Sequence, residues 1–266
     1  MNSLQLAQQI RLKALEMVFR SKASHIGGAL SMADILAVLY TNILSINPNC
    51  PQSADRDRFV LSKGHCCTSL YAVLALKGFF PLEELQTYGE DGSRLLSHAT
   101  HHVPGIEISA GSLGHGLPIA CGLALAAKRK KQTFYTYCIV GDGEMDEGSN
   151  WEAILFAAHH QLNNLCLIID YNKIQSLGNT NEVINLESLS AKLGAFNWDV
   201  VEIDGHNHAE INRALHLTGT RTNPFAIIAH TIKGKGVNFM ENELLWHYRS
   251  PDTEQYHLAL KEILQS

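Results

Sequence analysis

Ala7, Ile10, Ala14 and Met17 fall on one face at helical spacing, which predicts an amphipathic helix at the start of the chain. A second helix is predicted over about 29–44, stopped before Pro48. Residues 58–62 (RFVLS) read as a short strand, and 64–76 as the helix that follows it. Residues 91–112 have little periodicity and are rich in Gly, Ser and His, so a loop is expected. An Ala/Leu/Gly-rich helix is predicted for 113–131. From there the pattern alternates. A β-type run at 134–140 leads directly into Gly141-Asp142-Gly143, then a helix carrying Trp151, Ile154, Leu155 and Ala158 on one face. Residues 165–171 form the next buried strand, and 197–203 and 225–230 read as further strands, with helices near 186–194 and 208–217. Strands alternating with helices imply a parallel sheet covered on both faces. The expected fold is therefore α/β, a doubly wound, mostly parallel sheet in one domain spanning 1–266.

Composition narrows the functions open to such a domain. Of 266 residues, 45% are apolar and 18% charged, which excludes disorder and leaves enough chain to bury a core. Twenty-one basic against 26 acidic residues give a net charge of −5, so no nucleic-acid partner is expected. The one basic run, Lys128-Arg129-Lys130-Lys131, ends an apolar helical stretch, where positive charge complements a helix C-terminus. No apolar window is long enough to span a membrane, and the polar N-terminus is not a signal peptide. The six cysteines show no C-x-x-C spacing; Cys121, Cys138 and Cys166 sit in apolar runs and read as core residues. A cytoplasmic setting is the simplest.

In a doubly wound sheet, ligands bind beyond the carboxyl ends of the strands. Gly141-Asp142-Gly143 directly follows one predicted strand and Asn172 directly follows the next. Parallel neighbours joined by one helix bring both polar points to the same edge. A carboxylate and an amide oxygen are hard ligands suited to Mg²⁺ or Ca²⁺, and the following helix would turn its positive end toward an anion. The residues thus point to a Mg²⁺-bridged phosphate or diphosphate, although a plain tight turn also accounts for Gly-Asp-Gly alone. There is no G-x-x-x-x-G-K-[ST], and Asp146 stands where a dinucleotide fingerprint needs its third glycine. The clusters His98/His101/His102, His159/His160 and His206/His208 lack cysteine partners and zinc spacing. His159, His160, His206 and His208 are read as structural.

With 28 residues between Gly143 and the Asn172 of DYNKIQ, the motif resembles the thiamine diphosphate signature. The flanking segments, in order, resemble the N-terminal, diphosphate-binding half of transketolases. SHIGGALSMADIL carries His25, DRFVLSKGHCCTSLY carries His65, LLSHATHHVPGIEISAGSLGHGL carries His98 with Gly111-Ser112-Leu113, and TIKGKGVNFMENELLWH carries Lys233 and His247. The resemblance implies that Asp142, Asn172 and the Ile174 carbonyl hold Mg²⁺, with Ca²⁺ or Mn²⁺ as substitutes. It implies that Gly143 and His65 contact the diphosphate, that Lys233 and His247 lie close to cofactor and substrate, and that Gly111 to Leu113 lie along the aminopyrimidine. His25, His98 and His247 would bind donor oxygens and move protons, and Glu147 matches an acidic interface position. Neutral imidazoles suit proton management on a polyhydroxy substrate.

A complete transketolase is well over twice this length. The chain begins at Met1 and closes after a helix-like tail, so a whole polypeptide is expected: the N-terminal subunit of a split enzyme. A separate C-terminal subunit would complete the site in an assembly of two plus two, with sugar (phosphate) substrates. Trp246-His247-Tyr248-Arg249 replaces the Trp-His-Gly of many transketolases, and Gly28 replaces a hydroxyl residue of some, which leaves the sugar open. Two other readings stand: acyl transfer from a 2-oxo acid, which needs fewer histidines, and a cofactor-binding scaffold, against which intact Asp142, Asn172 and Glu147 argue.

Overall fold

The computed structural model describes residues 1–265. Its strands are β1 (Arg58–Leu61), β2 (Thr136–Gly141), β3 (Leu165–Tyr171), β4 (Ile174–Gln175), β5 (Gly178–Asn179), β6 (Asp199–Asp204) and β7 (Phe225–His230). Five of them form one sheet in the order β1-β2-β3-β7-β6, every pair parallel. β4 and β5 make a small antiparallel hairpin just beyond β3. The helices are α1 (Ser3–Ser21), α2 (Ile26–Ser31), α3 (Ala33–Val38), α4 (Cys67–Leu76), α5 (Gly116–Arg129), α6 (Gly148–His159), α7 (Thr180–Val183), α8 (Leu189–Ala195), α9 (His208–Leu215) and α10 (Thr253–Gln265).

β2, β3 and β7 are almost wholly buried, which explains their unbroken apolar runs. Alternate residues enter opposite cores. Phe59, Tyr137, Ile139, Ile168 and Ile227 face α1, α3, α4 and α9, whereas Val60, Cys138, Val140, Leu167 and Ile228 face α5, α6 and α8. A third core joins α1 and α2 to α10 through Val237, Met240 and Trp246. The doubly wound arrangement expected from the alternating pattern is therefore the observed one. Beyond the carboxyl ends, the chain leaves β1 and β7 toward the α1 face but β2 and β3 toward the α5 face, and a cleft opens between the departing loops.

α1 starts on a reciprocal Asn2–Gln5 capping box and ends at Lys22 in the left-handed conformation. The single helix expected over 29–44 is instead three pieces. α2 begins at Ile26, the chain turns out of helical geometry at Met32, and α3 ends in a wide turn over Leu39–Ile43. The early start carries Gly28 into close packing: a Cβ there would lie 2.7 Å from Cys66 Sγ. α5 begins at Gly116 rather than 113, because the preceding residues cross the site. The strand expected at 134–140 runs Thr136–Gly141, and the one expected from 197 begins at Asp199, since Asn197 takes φ +62°. A short tight turn, Gly143–Asp146, separates Gly-Asp-Gly from α6, so α6 does not follow the motif directly. α6 buries Asn150, Ala153, Ile154 and Ala157, and Leu155, expected inward, is 60% exposed.

Candidate active site

Four of the five strands of the main sheet end in polar groups at the cleft. β1 runs into Ser62-Lys63-Gly64-His65, β2 into Gly141-Asp142-Gly143, β3 into Asn172, and β7 into Lys233. The register explains why they meet: Gly141 lies opposite Asp170, and Tyr171 opposite His230. Asp142 and Asn172 thus converge as expected; the Lys173 amide donates to the Asp142 carboxylate, and both side chains line one cavity. Asn172 is tethered, accepting from the Ile174 amide at 3.2 Å and donating to Asp170 at 3.4 Å.

Four histidines from distant segments gather in the same cavity. The His25 ring centroid lies 4.9 Å from those of His65 and His247 and 6.4 Å from that of His98. His25 takes φ +71° and its backbone N–H donates to His247 O at 3.0 Å, which presents its ring inward. Among the described residues, His25 Nδ1 is buried without a hydrogen-bond partner. His98 sits in the expected loop, held by Tyr71 Oη donating to His98 O at 3.0 Å and by Ala99 N donating to Gly64 O at 3.1 Å. Burial, with nearby positive charge, lowers the His25 imidazolium to about 4 and His247 to about 3, and holds His65 well below its ordinary value. These rings are neutral at pH 7. Burial and Lys63 lower Lys233 to about 8; its ammonium donates to Ile174 O at 2.8 Å and lies 3.0 Å from His247 Nδ1.

Gly111 and Leu113 also line the cavity, whereas Ser112, exposed between them, does not contribute to its wall. Glu147 is exposed and lies outside the cavity. Several contributors escaped the sequence reading. Lys63 and Glu144 line the cavity, as do Gln175 and Ser176 of the β4–β5 hairpin. Beneath it, Asp170 is fully buried, pairs with Lys63, and accepts from Ser31 Oγ at 2.6 Å and from Thr231 Oγ1. A charge ending an apolar strand, as Asp170 and Lys63 nearly do, is the signal that could have marked them. His206 and His208, read as structural, bond the carboxylate of Asp34, which also pairs with Arg11.

The donor set suits a divalent cation with a diphosphate. Asp142, Asn172 and the Ile174 carbonyl offer hard oxygens. Burial and the neighbouring Asp170 push the Asp142 carboxyl up to about 7, so a cation there would relieve an unfavourable buried charge. Among the described residues, no group of three or more His, Cys, Asp or Glu side chains is placed to hold a metal alone, so backbone and ligand oxygens would be needed. Gly143 leaves the backbone bare at a point where a Cβ would lie 2.5 Å from Gln175 Cβ. Lys233 and Lys63 place positive charge in the cavity wall, which would favour a phosphate group.

Residues 3–255 match the family model described as "Transketolase, thiamine diphosphate binding domain". The chain is 44% identical to an apulose-4-phosphate transketolase subunit of Phocaeicola vulgatus, covering 97% of this chain and 92% of that protein. It is 42% identical to the 6-deoxy-6-sulfo-D-fructose transketolase subunit SqwG of a Clostridium species, covering 97% and 94%. The crystal structure of transketolase from Campylobacter jejuni superposes with a TM-score of 0.93 at 34% identity, over 99% of this chain but 43% of that one. No helix among the described residues is long and apolar enough to cross a membrane. A parallel sheet with this cleft, a matched family model and relatives aligned along nearly their whole length leave one assignment: the chain belongs to the transketolase family of thiamine diphosphate-binding transferases.

Proposed function

We propose that residues 1–266 act as one thiamine diphosphate-binding domain, the N-terminal subunit of a split transketolase. It would move a two-carbon ketol unit from a ketose (phosphate) donor to an aldose acceptor. The observation that carries this reading is the gathering of His25, His65, His98 and His247 over the Asp142–Asn172 pair in one cavity. Asp142, Asn172 and the Ile174 carbonyl would hold Mg²⁺, or Ca²⁺ or Mn²⁺ in its place. Gly143, His65, Lys233 and His247 would meet the diphosphate side, and Gly111, Ser112 and Leu113 the aminopyrimidine. The bound cofactor supplies the carbanion and the electron sink that C–C cleavage requires. The chain's own residues handle the polyol. A neutral imidazole offers one N–H donor and one acceptor nitrogen to adjacent hydroxyls. His25 Nδ1, buried and without a partner among the described residues, would bond a donor oxygen, while His98 and His247 would hold or move protons at the reacting hydroxyls.

Relatives matched over 92–94% of their length are named as subunits, which supports a separate C-terminal partner in a two-plus-two assembly. Glu147, exposed beside the cavity loops, fits an interface role completed by that partner. Six unpaired cysteines are consistent with the cytoplasm. Relatives named for apulose-4-phosphate and 6-deoxy-6-sulfo-D-fructose keep an unusual sugar phosphate or a sulfo-sugar open as the substrate of the same reaction.

The test is purification from the native cells under gentle conditions, a native mass spectrum, and assay against ketose phosphates, a sulfo-ketose and 2-oxo acids. The reading expects two plus two chains, one cofactor per site, and ketol transfer only in the assembly. Ketol transfer by this chain alone would refute the split, and turnover of 2-oxo acids in place of ketoses would make it an acyl-transfer enzyme.

A further inference from the structure

Glu144 is 2% exposed, yet among the described residues it has no ion-pair partner. Its carboxylate bonds only backbone amides and one hydroxyl. One oxygen accepts from Gly114 N at 2.9 Å and from Ser62 Oγ; the other accepts from Gly141 N at 3.1 Å. Ser62 Oγ in turn accepts from Gly116 N at 3.1 Å. One carboxylate therefore ties together three chain segments: the end of β1 just before His65, the end of β2 just before Asp142, and the strap over 111–116 that precedes α5.

The glycines of the strap make these bonds possible. Gly114 takes φ +78°, and a Cβ there would lie 2.5 Å from Ser149 Oγ. A Cβ on Gly116 would lie 2.4 Å from Ser62. The backbone of Glu144 is fixed by other means, since Asn150 Nδ2 donates to Glu144 O at 2.8 Å and Trp151 Nε1 to Met145 O at 2.8 Å. The carboxylate is thus not needed to form its own turn. Burying an ion without a counter-charge is unfavourable, and it is tolerated where several donors converge on it.

We propose that Glu144 is a positioning residue: with Ser62, it holds the strap 111–116 against the Gly141-Asp142-Gly143 turn and so fixes the spacing between two walls of the cavity. Its consequence for ligand rests on the reading that this strap lies along the cofactor. Glu144→Gln keeps the size but must turn an NH2 toward either Gly114 N–H or Gly141 N–H, setting donor against donor. Ser62→Ala removes the hydroxyl and leaves Gly116 N–H without its acceptor.

Both variants are compared with the wild type in the native assembly by hydrogen exchange without cofactor, and by titration with thiamine diphosphate and MgCl2. In Glu144→Gln, exchange over 111–117 accelerates by about tenfold or more while β3 stays protected, and the cofactor Kd rises about tenfold, as the loss of one charge-assisted bond predicts. Ser62→Ala gives a smaller effect confined to the same peptide. Unchanged strap exchange in Glu144→Gln overturns the proposal. Faster exchange everywhere in Glu144→Gln, together with wild-type exchange in Ser62→Ala, overturns it as well. Wild-type protein that binds no thiamine diphosphate, with a strap that still loosens in Glu144→Gln, refutes the cofactor reading and upholds the positioning role.

Discussion

Asp170→Asn is the substitution with the largest expected effect on the floor of the site. Lys63 and Asp170 have side chains 3% and 0% exposed, so both charges are removed from water. Burial alone would drive Lys63 down; the charge and hydrogen bond of Asp170, together with nearby Cys66 and Asp142, hold the ammonium above its ordinary value. The same contact, with Ser31 and Thr231 donating, holds the Asp170 carboxyl below its own. The asparagine keeps an acceptor oxygen but removes the counter-charge, leaving the Lys63 ammonium among neutral partners such as Gly28 O, 3.2 Å away. Removing one partner of a buried pair costs about 3–5 kcal/mol, because the other charge stays buried and uncompensated. In a domain of this size that corresponds to a fall in Tm of about 6–20 °C. Urea unfolding followed by circular dichroism measures it, with Lys63→Met/Asp170→Asn as the control. The double variant should recover at least half the loss, since no charge remains to be desolvated. A loss below about 1 kcal/mol in Asp170→Asn, or a double variant no better than the single, would refute an uncompensated buried ammonium as the cause.

Asp142→Ala should abolish Mg²⁺-dependent cofactor binding while the circular dichroism stays unchanged; calorimetric titration checks this, and tight binding by the variant would remove Asp142 from the metal. His98→Ala should lower kcat for a ketose donor by about 10²-fold with little change in cofactor affinity, and unchanged turnover would leave His98 a surface loop residue. His25 and His247 are held near 4 and 3 in the folded chain, against about 6.5 when unfolded, so their stabilisation is present above pH 6.5 and is lost as pH falls toward the folded values. Each ring still neutral at pH 5 costs about 2 kcal/mol there, whereas Asp142, held up to about 7, gains stability over the same range; the curves are therefore taken on cofactor-free Asp142→Asn, where equal stability at pH 7.5 and 5 would show that the rings are not desolvated.

Local pattern carried much of this protein. The alternation of apolar runs with helical periodicity specifies a parallel sheet, because a strand buried on both faces must be apolar throughout, as Leu165–Tyr171 is. The same pattern put Gly141-Asp142-Gly143 and Asn172 at strand ends, and parallel pairing then obliges them to meet. The histidines were legible only by resemblance, since nothing in their spacing says that residues 25, 65, 98 and 247 converge.

Long-range packing supplied what local pattern could not. The helix expected over 29–44 starts at Ile26 and breaks at Met32, and Gly28 sits so close to Cys66 that a Cβ there would lie 2.7 Å from its Sγ, a constraint with no local signature. Leu155 turns outward although its spacing suited an inward face, because which stripe of α6 is buried depends on where α5 and the sheet lie. Lys63 and Asp170 become a buried pair only when β1 and β3 are brought into one sheet, and Glu144 becomes an acceptor for three chain segments only when the strap crosses above it. The elements and the chemical types at their ends follow from periodicity and side-chain chemistry within a few residues, so they are written in the chain itself. Which of those groups face one another, and which lose their water in doing so, depends on contacts between distant segments, where burial and neighbouring charge set the protonation of His25, His65, His247, Lys233 and Asp142.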